Sequence, residues 1–244
     1  MRLPSAPPTC FAHPDFFVTI PPAHADMPID ADQASLPVLH VDDSLIVVNK
    51  PAELLSVPGR GEHLQDCVVS RVQAMYPDAL IVHRLDMSTS GLLVLARGAV
   101  AQRALSIAFA ERRVAKRYQA VVAGRPAQDA GSIDLPLRCD WPNRPRQMVD
   151  HELGKASLTH WRALGRWSGA AIDATRVELE PVTGRSHQLR VHLLVLGHPI
   201  LGDNLYAPPD ALAAAPRLLL HACELTLPHP LSGDMLTFRS PAPF

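Results

Sequence analysis

The chain has 244 residues, 47% of them apolar and 19% charged, and a formal net charge of −1 at pH 7. This length supports a sizeable core, the composition excludes a disordered protein, and the near-neutral balance leaves nucleic-acid binding to local basic patches. No apolar run approaches the ~20 residues that span a bilayer. Cys10, Cys67, Cys139 and Cys223 are far apart, with no Cys-x-x-Cys pair and no secretory leader, which predicts free thiols in a reducing, cytoplasmic setting.

Residues 1–36 are rich in Pro and Ala and show no packing periodicity, so a flexible leader is predicted ahead of one domain over 37–244. Two strands are predicted at 38–41 and 45–49, joined across Asp42-Asp43-Ser44, with Lys50-Pro51 ending the second. Leu64, Val68, Val72 and Met75 recur at helical spacing. Apolar runs at 79–82 and 92–96 read as strands, 99–113 as a helix, and 114–123 as a strand through Tyr118. Residues 124–154 are looser, with Arg138, Arg144 and Arg146 around Trp141-Pro142-Asn143. Strands follow at 156–164 and 172–180, then a helix at 186–196 with Ser186 as its N-cap and Gly197 and Pro199 closing it. The runs 218–222 and 235–238 complete the pattern. Strands outnumber helices and are joined by both hairpins and helices, which predicts an α+β fold with a mixed, largely antiparallel sheet flanked by helices. No internal repeat is present.

Three segments carry candidate chemistry. Asp86 lies in His83-Arg84-Leu85-Asp86-Met87-Ser88-Thr89-Ser90-Gly91, a polar loop between two strand-like runs. Such a frame presents one reactive side chain well, although an Asp in a Ser/Thr/Gly loop more often closes a turn. Arg185, in Thr183-Gly184-Arg185-Ser186-His187-Gln188-Leu189-Arg190, opens a helix at the dipole end that disfavours cations, so it should have an anionic partner. Tyr118, in Lys116-Arg117-Tyr118, is one of only three tyrosines and sits in a basic strand, where it could stack on a base. Gly184-Arg185-Ser186-His187-Gln188 starts like a nucleophile elbow but has Gln at its last position. No Rossmann fingerprint, glycine-rich phosphate loop or metal-ligand spacing among the twelve histidines occurs, so neither cofactor nor metal is expected.

Taken in order, His-Arg-Leu-Asp followed by Thr-Ser-Gly, then Lys-Arg-Tyr, then Gly-Arg-Ser-His-Gln-Leu-Arg, resemble the RluA family of RNA pseudouridine synthases. Asn49-Lys50-Pro51 with Leu54-Leu55, and Leu220-His221-Ala222, resemble that family's first and last motifs. The first departs from it at Ala52-Glu53. The resemblance covers roughly residues 38–244 and implies a pseudouridine synthase fold with an active-site cleft across the sheet. It implies that Asp86 is catalytic, that Arg185 pairs with it, and that Tyr118 stacks on the target base and assists proton removal. Leu189 and Leu220 would wall the site. Arg84, Arg112, Arg113, Lys116, Arg117, Arg138, Arg144 and Arg146 would contact RNA. No cofactor and no obligate protein partner are implied, and the leader is too short for the S4-type domain that many relatives carry. Met87-Ser88 and the run from Cys139 to Pro145 resemble the dual-specificity branch, which modifies loop uridines of 23S rRNA and tRNA. The alternatives are a single-substrate synthase and a non-catalytic RNA-remodelling factor. The latter has no need for an Asp, Arg and Tyr set.

Overall fold

The computed structural model describes residues 36–244. The leader expected over 1–36 lies outside them except for Leu36, which is buried beside Ile46 and Val48. The fold opens with β1 (Val38–Val41) and β2 (Leu45–Lys50). Asp42 closes this hairpin, its Oδ1 accepting the N–H groups of Ser44 and Leu45 at 2.7 and 2.8 Å. Next come α1 (Val68–Met75), β3 (Ala79–Ile81), β4 (Ser90–Arg97), α2 (Gly98–Ala110) and β5 (Ala115–Ala123). The first helix starts later than its periodicity predicts. Leu64 ends a separate 3-10 turn, and Cys67 caps α1 by accepting the Ser70 N–H on Sγ at 3.4 Å. Met75, expected on the buried face, is 52% exposed.

The segment predicted to be loose holds β6 (Ala130–Asp134), β7 (Leu137–Cys139) and β8 (Gln147–Val149). These strands are short, and β6 buries only Ile133, so little period-2 signal exists to find. β9 (Leu158–Arg166), β10 (Ala174–Pro181), α3 (Gln188–Val195), the short α4 (Pro209–Ala213), β11 (Leu220–Pro228) and β12 (Met235–Arg239) complete the chain. Ser186 is not the cap of α3. His187 occupies that position in a left-handed conformation, φ 54°, with no side-chain cap. Gln188 organises the turn instead, its Oε1 accepting the Arg185 N–H at 3.0 Å and the Thr183 hydroxyl at 2.7 Å.

Ten strands form one sheet in the order β1-β2-β4-β11-β5-β10-β9-β6, with β3 added on β4 and β12 on β11. β7 and β8 form a separate ribbon. Every strand pairing among the described residues is antiparallel except β4 with β11, as the mixed, largely antiparallel expectation requires. In β4, Leu92 and Val94 pack toward α2 while Leu93 and Leu95 pack toward α1, so both faces are covered and the strand reads as a continuous apolar run. β5, β10 and β11 bury Val121, Val177, Leu179 and Leu220 with Leu189 and Leu193 of α3. Where β4 meets β11, Gly91 has φ +115°, and a Cβ there would stand 2.3 Å from the Ala222 carbonyl oxygen. Only glycine lets the two strands approach this closely.

Candidate active site

A cleft of about 490 Å³ opens over the middle of the sheet, walled by the loop before β4, by β5 and β11, and by the turn into α3. Asp86 is half-buried in it. The loop is held on both sides of that residue. The Leu85 N–H donates to Ser56 Oγ at 3.1 Å, and the Leu85 carbonyl accepts from the same hydroxyl at 2.7 Å. Lys50 is fully buried, and its Nζ donates to the carbonyls of Pro51, Leu54 and Met87 at 2.9, 2.7 and 2.8 Å. His83 Nε2 accepts the Val94 N–H at 3.1 Å, and its ring stacks on Phe109 at 4.6 Å. Burial lowers the His83 pKa to about 3, so it stays neutral in this structural role.

The groups around Asp86 are tuned by burial and by its charge. Burial pulls Lys50 down to about 7, and Asp86 opposes that fall. The Tyr118 phenol is pushed above its ordinary range by burial and then by Asp86, so its hydroxyl keeps its proton at neutral pH. Burial lowers His187, again against the pull of Asp86. Arg190 is 3% exposed. Burial works against its charge, but the hydrogen bonds from its guanidinium to the Asp203 carboxylate outweigh this and raise its pKa. Arg190 Nε meets Asp203 Oδ2 at 2.8 Å, and the guanidinium lies 5.1 Å from the centre of the Tyr206 ring. The Tyr206 hydroxyl accepts the Gln147 N–H at 2.7 Å and lies 2.7 Å from His187 Nδ1. Burial raises the phenol to about 12, so it stays protonated in this contact at neutral pH.

Of the residues expected from sequence, Asp86, Tyr118, Arg185, Arg84, Arg112, Lys116, Leu189 and Leu220 all line the cleft. The expected ion pair between Asp86 and Arg185 is absent among the described residues. Arg185 is exposed, and its Nε donates to the Ala156 carbonyl at 3.3 Å, which draws the side chain aside. Because α3 begins at Gln188, the buried guanidinium comes from its first turn, and Arg190 lines the cleft with Asp86, whose charge favours its own. Sequence reasoning missed it because its partner Asp203 lies in a distant turn with no distinguishing pattern. Lys50 was named only within the first motif, and its three carbonyl partners leave no trace in the local sequence.

The other basic residues divide by face. Lys116 and Tyr118 alternate into the cleft along β5, whereas Arg117 lies 3.7 Å from Glu224, and Arg113 pairs with Glu111 at 2.8 Å. Neither Arg113 nor Arg117 lines the cleft. Arg138 lies 2.7 Å from Asp150 and lines a second hollow that shares Gly184 and Arg185 with the first. Arg144 lies over Trp141, and Arg146 over Tyr206.

A fixed carboxylate and a protonated tyrosine beneath a rim of arginines describe an enzyme site built for a polyanion. Residues 44–194 match the RNA pseudouridylate synthase family. The dual-specificity RNA pseudouridine synthase RluA of Escherichia coli (strain K12) is 54% identical over 209 residues, which span 86% of this chain and 94% of the relative. The protein of the same name from Pasteurella multocida (strain Pm70) is 50% identical, with the same coverage of each chain. Among solved structures, human RNA Pseudouridylate Synthase Domain Containing 1 aligns with a TM-score of 0.74 at 29% identity, covering 90% of this chain and 87% of that one. The chain belongs to the RNA pseudouridylate synthase family. It is an isomerase that converts uridine in RNA to pseudouridine. No helix among the described residues is long and apolar enough to cross a membrane.

Proposed function

We propose that this enzyme is a cytoplasmic, dual-specificity synthase that acts on a loop uridine of 23S rRNA and an anticodon-loop uridine of tRNA. The observation that carries the chemical reading is Asp86, clamped at Leu85 and Met87 inside a cleft rimmed by Arg84, Arg112, Lys116 and Arg185. Two substrates are supported by the likeness to dual-specificity synthases that share 50–54% identity over 94% of their own length.

The target uridine leaves its stack and enters the cleft, with Arg84 filling the vacated space or gripping phosphate. Asp86 acts on the ribose, as a nucleophile at C1′ or as a base at the C2′ proton. The C1′–N1 bond breaks, the uracil turns, C1′ joins C5, the C5 proton leaves to water, and N1 takes up a proton. Tyr118 stacks on the base and keeps its hydroxyl protonated as a donor or relay. Arg190 keeps positive charge in the cleft with Asp86, and Arg185 is free to meet phosphate. Loop shape supplies much of the selectivity.

The test uses tRNA and 23S rRNA fragment transcripts labelled with tritium at uracil C5. The wild type should release tritium to water from both, and Asp86→Ala from neither, with RNA binding retained. Release from one RNA alone would reduce the enzyme to a single-substrate synthase. Near-normal turnover by Asp86→Ala would remove the role given to that residue.

A further inference from the structure

Trp141 sits at the tip of the β7–β8 ribbon and is 65% exposed. An indole left in water forgoes a large burial gain, and no core cluster among the described residues contains it. The Arg144 guanidinium lies over its ring, 4.6 Å from the centre. The tip is nevertheless tightly folded. The Asp140 N–H donates to the Arg146 carbonyl at 2.9 Å and the Arg146 N–H to the Asn143 carbonyl at 3.0 Å, while Asn143 Nδ2 reaches the Asp140 carboxylate at 3.0 Å. The aromatic plane is therefore presented at a defined place.

That place is continuous with the active site. The hollow beside the ribbon is lined by Arg138, Cys139 and Lys155 and shares Gly184 and Arg185 with the cleft. The ribbon is also tied to the cleft floor, since the Tyr206 hydroxyl accepts from Gln147 and contacts His187, and Arg146 lies 5.2 Å from the Tyr206 ring centre. A strand leaving the cleft past Arg185 meets Arg138 and Lys155, then arrives at the indole two residues beyond Cys139. The acids on this path are already engaged, Asp150 with Arg138 and Asp140 with Asn143.

We propose that Trp141 and Arg144 form a second base-stacking platform, which takes an unpaired nucleobase of the substrate RNA other than the uridine being isomerised. This rests on the RNA-modifying reading above. Stacking on an aromatic ring with a guanidinium beside it suits any base, so the platform grips a splayed loop rather than a particular sequence. An exposed Trp and Arg would also suit a protein partner, but the hollow that joins the cleft at Arg185 and carries Lys155 at the base of the ribbon favours RNA.

The experiment compares the wild type, Trp141→Ala and Trp141→Phe as full chains with matched thermal midpoints. Each is titrated with a tRNA anticodon stem-loop, a 23S rRNA hairpin and a fully paired RNA duplex, and tritium release gives KM and kcat. Trp141→Ala should raise Kd and KM for the stem-loops about tenfold, retain kcat at saturating RNA and bind the duplex as the wild type does. Trp141→Phe should recover most of the loss. Unchanged stem-loop affinity would overturn the platform and leave the indole to a protein partner. An equal loss on duplex, or a fall in kcat alone, would overturn it too. Absence of tritium release by the wild type would instead defeat the catalytic reading, which the binding arms do not depend on.

Discussion

Arg190 and Asp203 form a buried pair, 3% and 1% exposed, with Nε and Oδ2 2.8 Å apart, and Arg190 lines the cleft that holds Asp86. Removing one partner leaves the other charged and unpaired in the interior, at a cost of about 3–5 kcal/mol. Asp203→Asn should therefore lower both the unfolding free energy and the turnover. Arg185→Gln should keep the wild-type stability and mainly raise KM, because that side chain is exposed and bonded to Ala156. Denaturant melts with tritium-release kinetics on both variants check this. A stable Asp203→Asn enzyme with normal kcat would show that the buried pair is dispensable.

Tyr118 stands beside Asp86 with its phenol held in the protonated form by burial and by that carboxylate. Tyr118→Phe keeps the ring and loses the hydroxyl. The variant should fold and bind RNA normally but turn over about tenfold more slowly or worse, whereas Tyr118→Ala should lose affinity as well. Wild-type turnover by Tyr118→Phe would restrict the residue to stacking.

Two desolvated histidines set an acid limit on stability. His221 is 1% exposed, contacts Ser90 Oγ at 2.9 Å through Nδ1, and is lowered to about 4 by burial; His83 is lowered to about 3 by the same cause. Both folded-state values lie below the unfolded value near 6.5, so the unfolded chain binds protons first as the pH falls. The stability that they contribute is complete above pH 6.5. It is lost on going down to about 4 for His221 and about 3 for His83, by at most about 1.4 kcal/mol per pH unit for each. His221→Gln should be less stable than the wild type at pH 7 yet decline less steeply between pH 6.5 and 4. Chemical denaturation at a series of pH values measures the two slopes.

Lys116 and Arg117 are adjacent in sequence and opposite in the sheet. Lys116 lines the cleft, and Arg117 lies near Glu224. If each phosphate contact releases counterions, Lys116→Ala should reduce the slope of log binding constant against log salt by about 0.7. Arg117→Ala should leave it unchanged. Equal reductions would place RNA on both faces of β5.

Much of this fold is legible in the sequence because β2 and β4 are largely runs of aliphatic residues, and covering a strand on both faces demands such a run. The ribbon and β6 are hidden because three- and five-residue strands with at most one buried side chain leave no period to detect. At the site, Asp86, Tyr118 and Leu220 are legible because each belongs to a compact local motif. Arg190 is not, since its burial depends on Asp203 arriving from another turn and on α3 starting two residues later than 186. Lys50 is hidden for a related reason. Lysine is usually solvated, and only the assembled loops supply the three carbonyls that let it enter the core.

The one parallel strand pairing among the described residues, β4 with β11, sets when the cleft can be complete. Asp86 and Tyr118 are synthesised in the first half of the chain, yet the strand that separates β4 from β5 begins only at Leu220, with His221 reaching Ser90 across 131 positions. A growing polypeptide therefore carries its chemical groups without the floor that aligns them. Closing so long a loop is slow. Until residues from Leu220 onward have been made, β4 and β5 have no strand between them, and the cleft lacks its Leu220 wall.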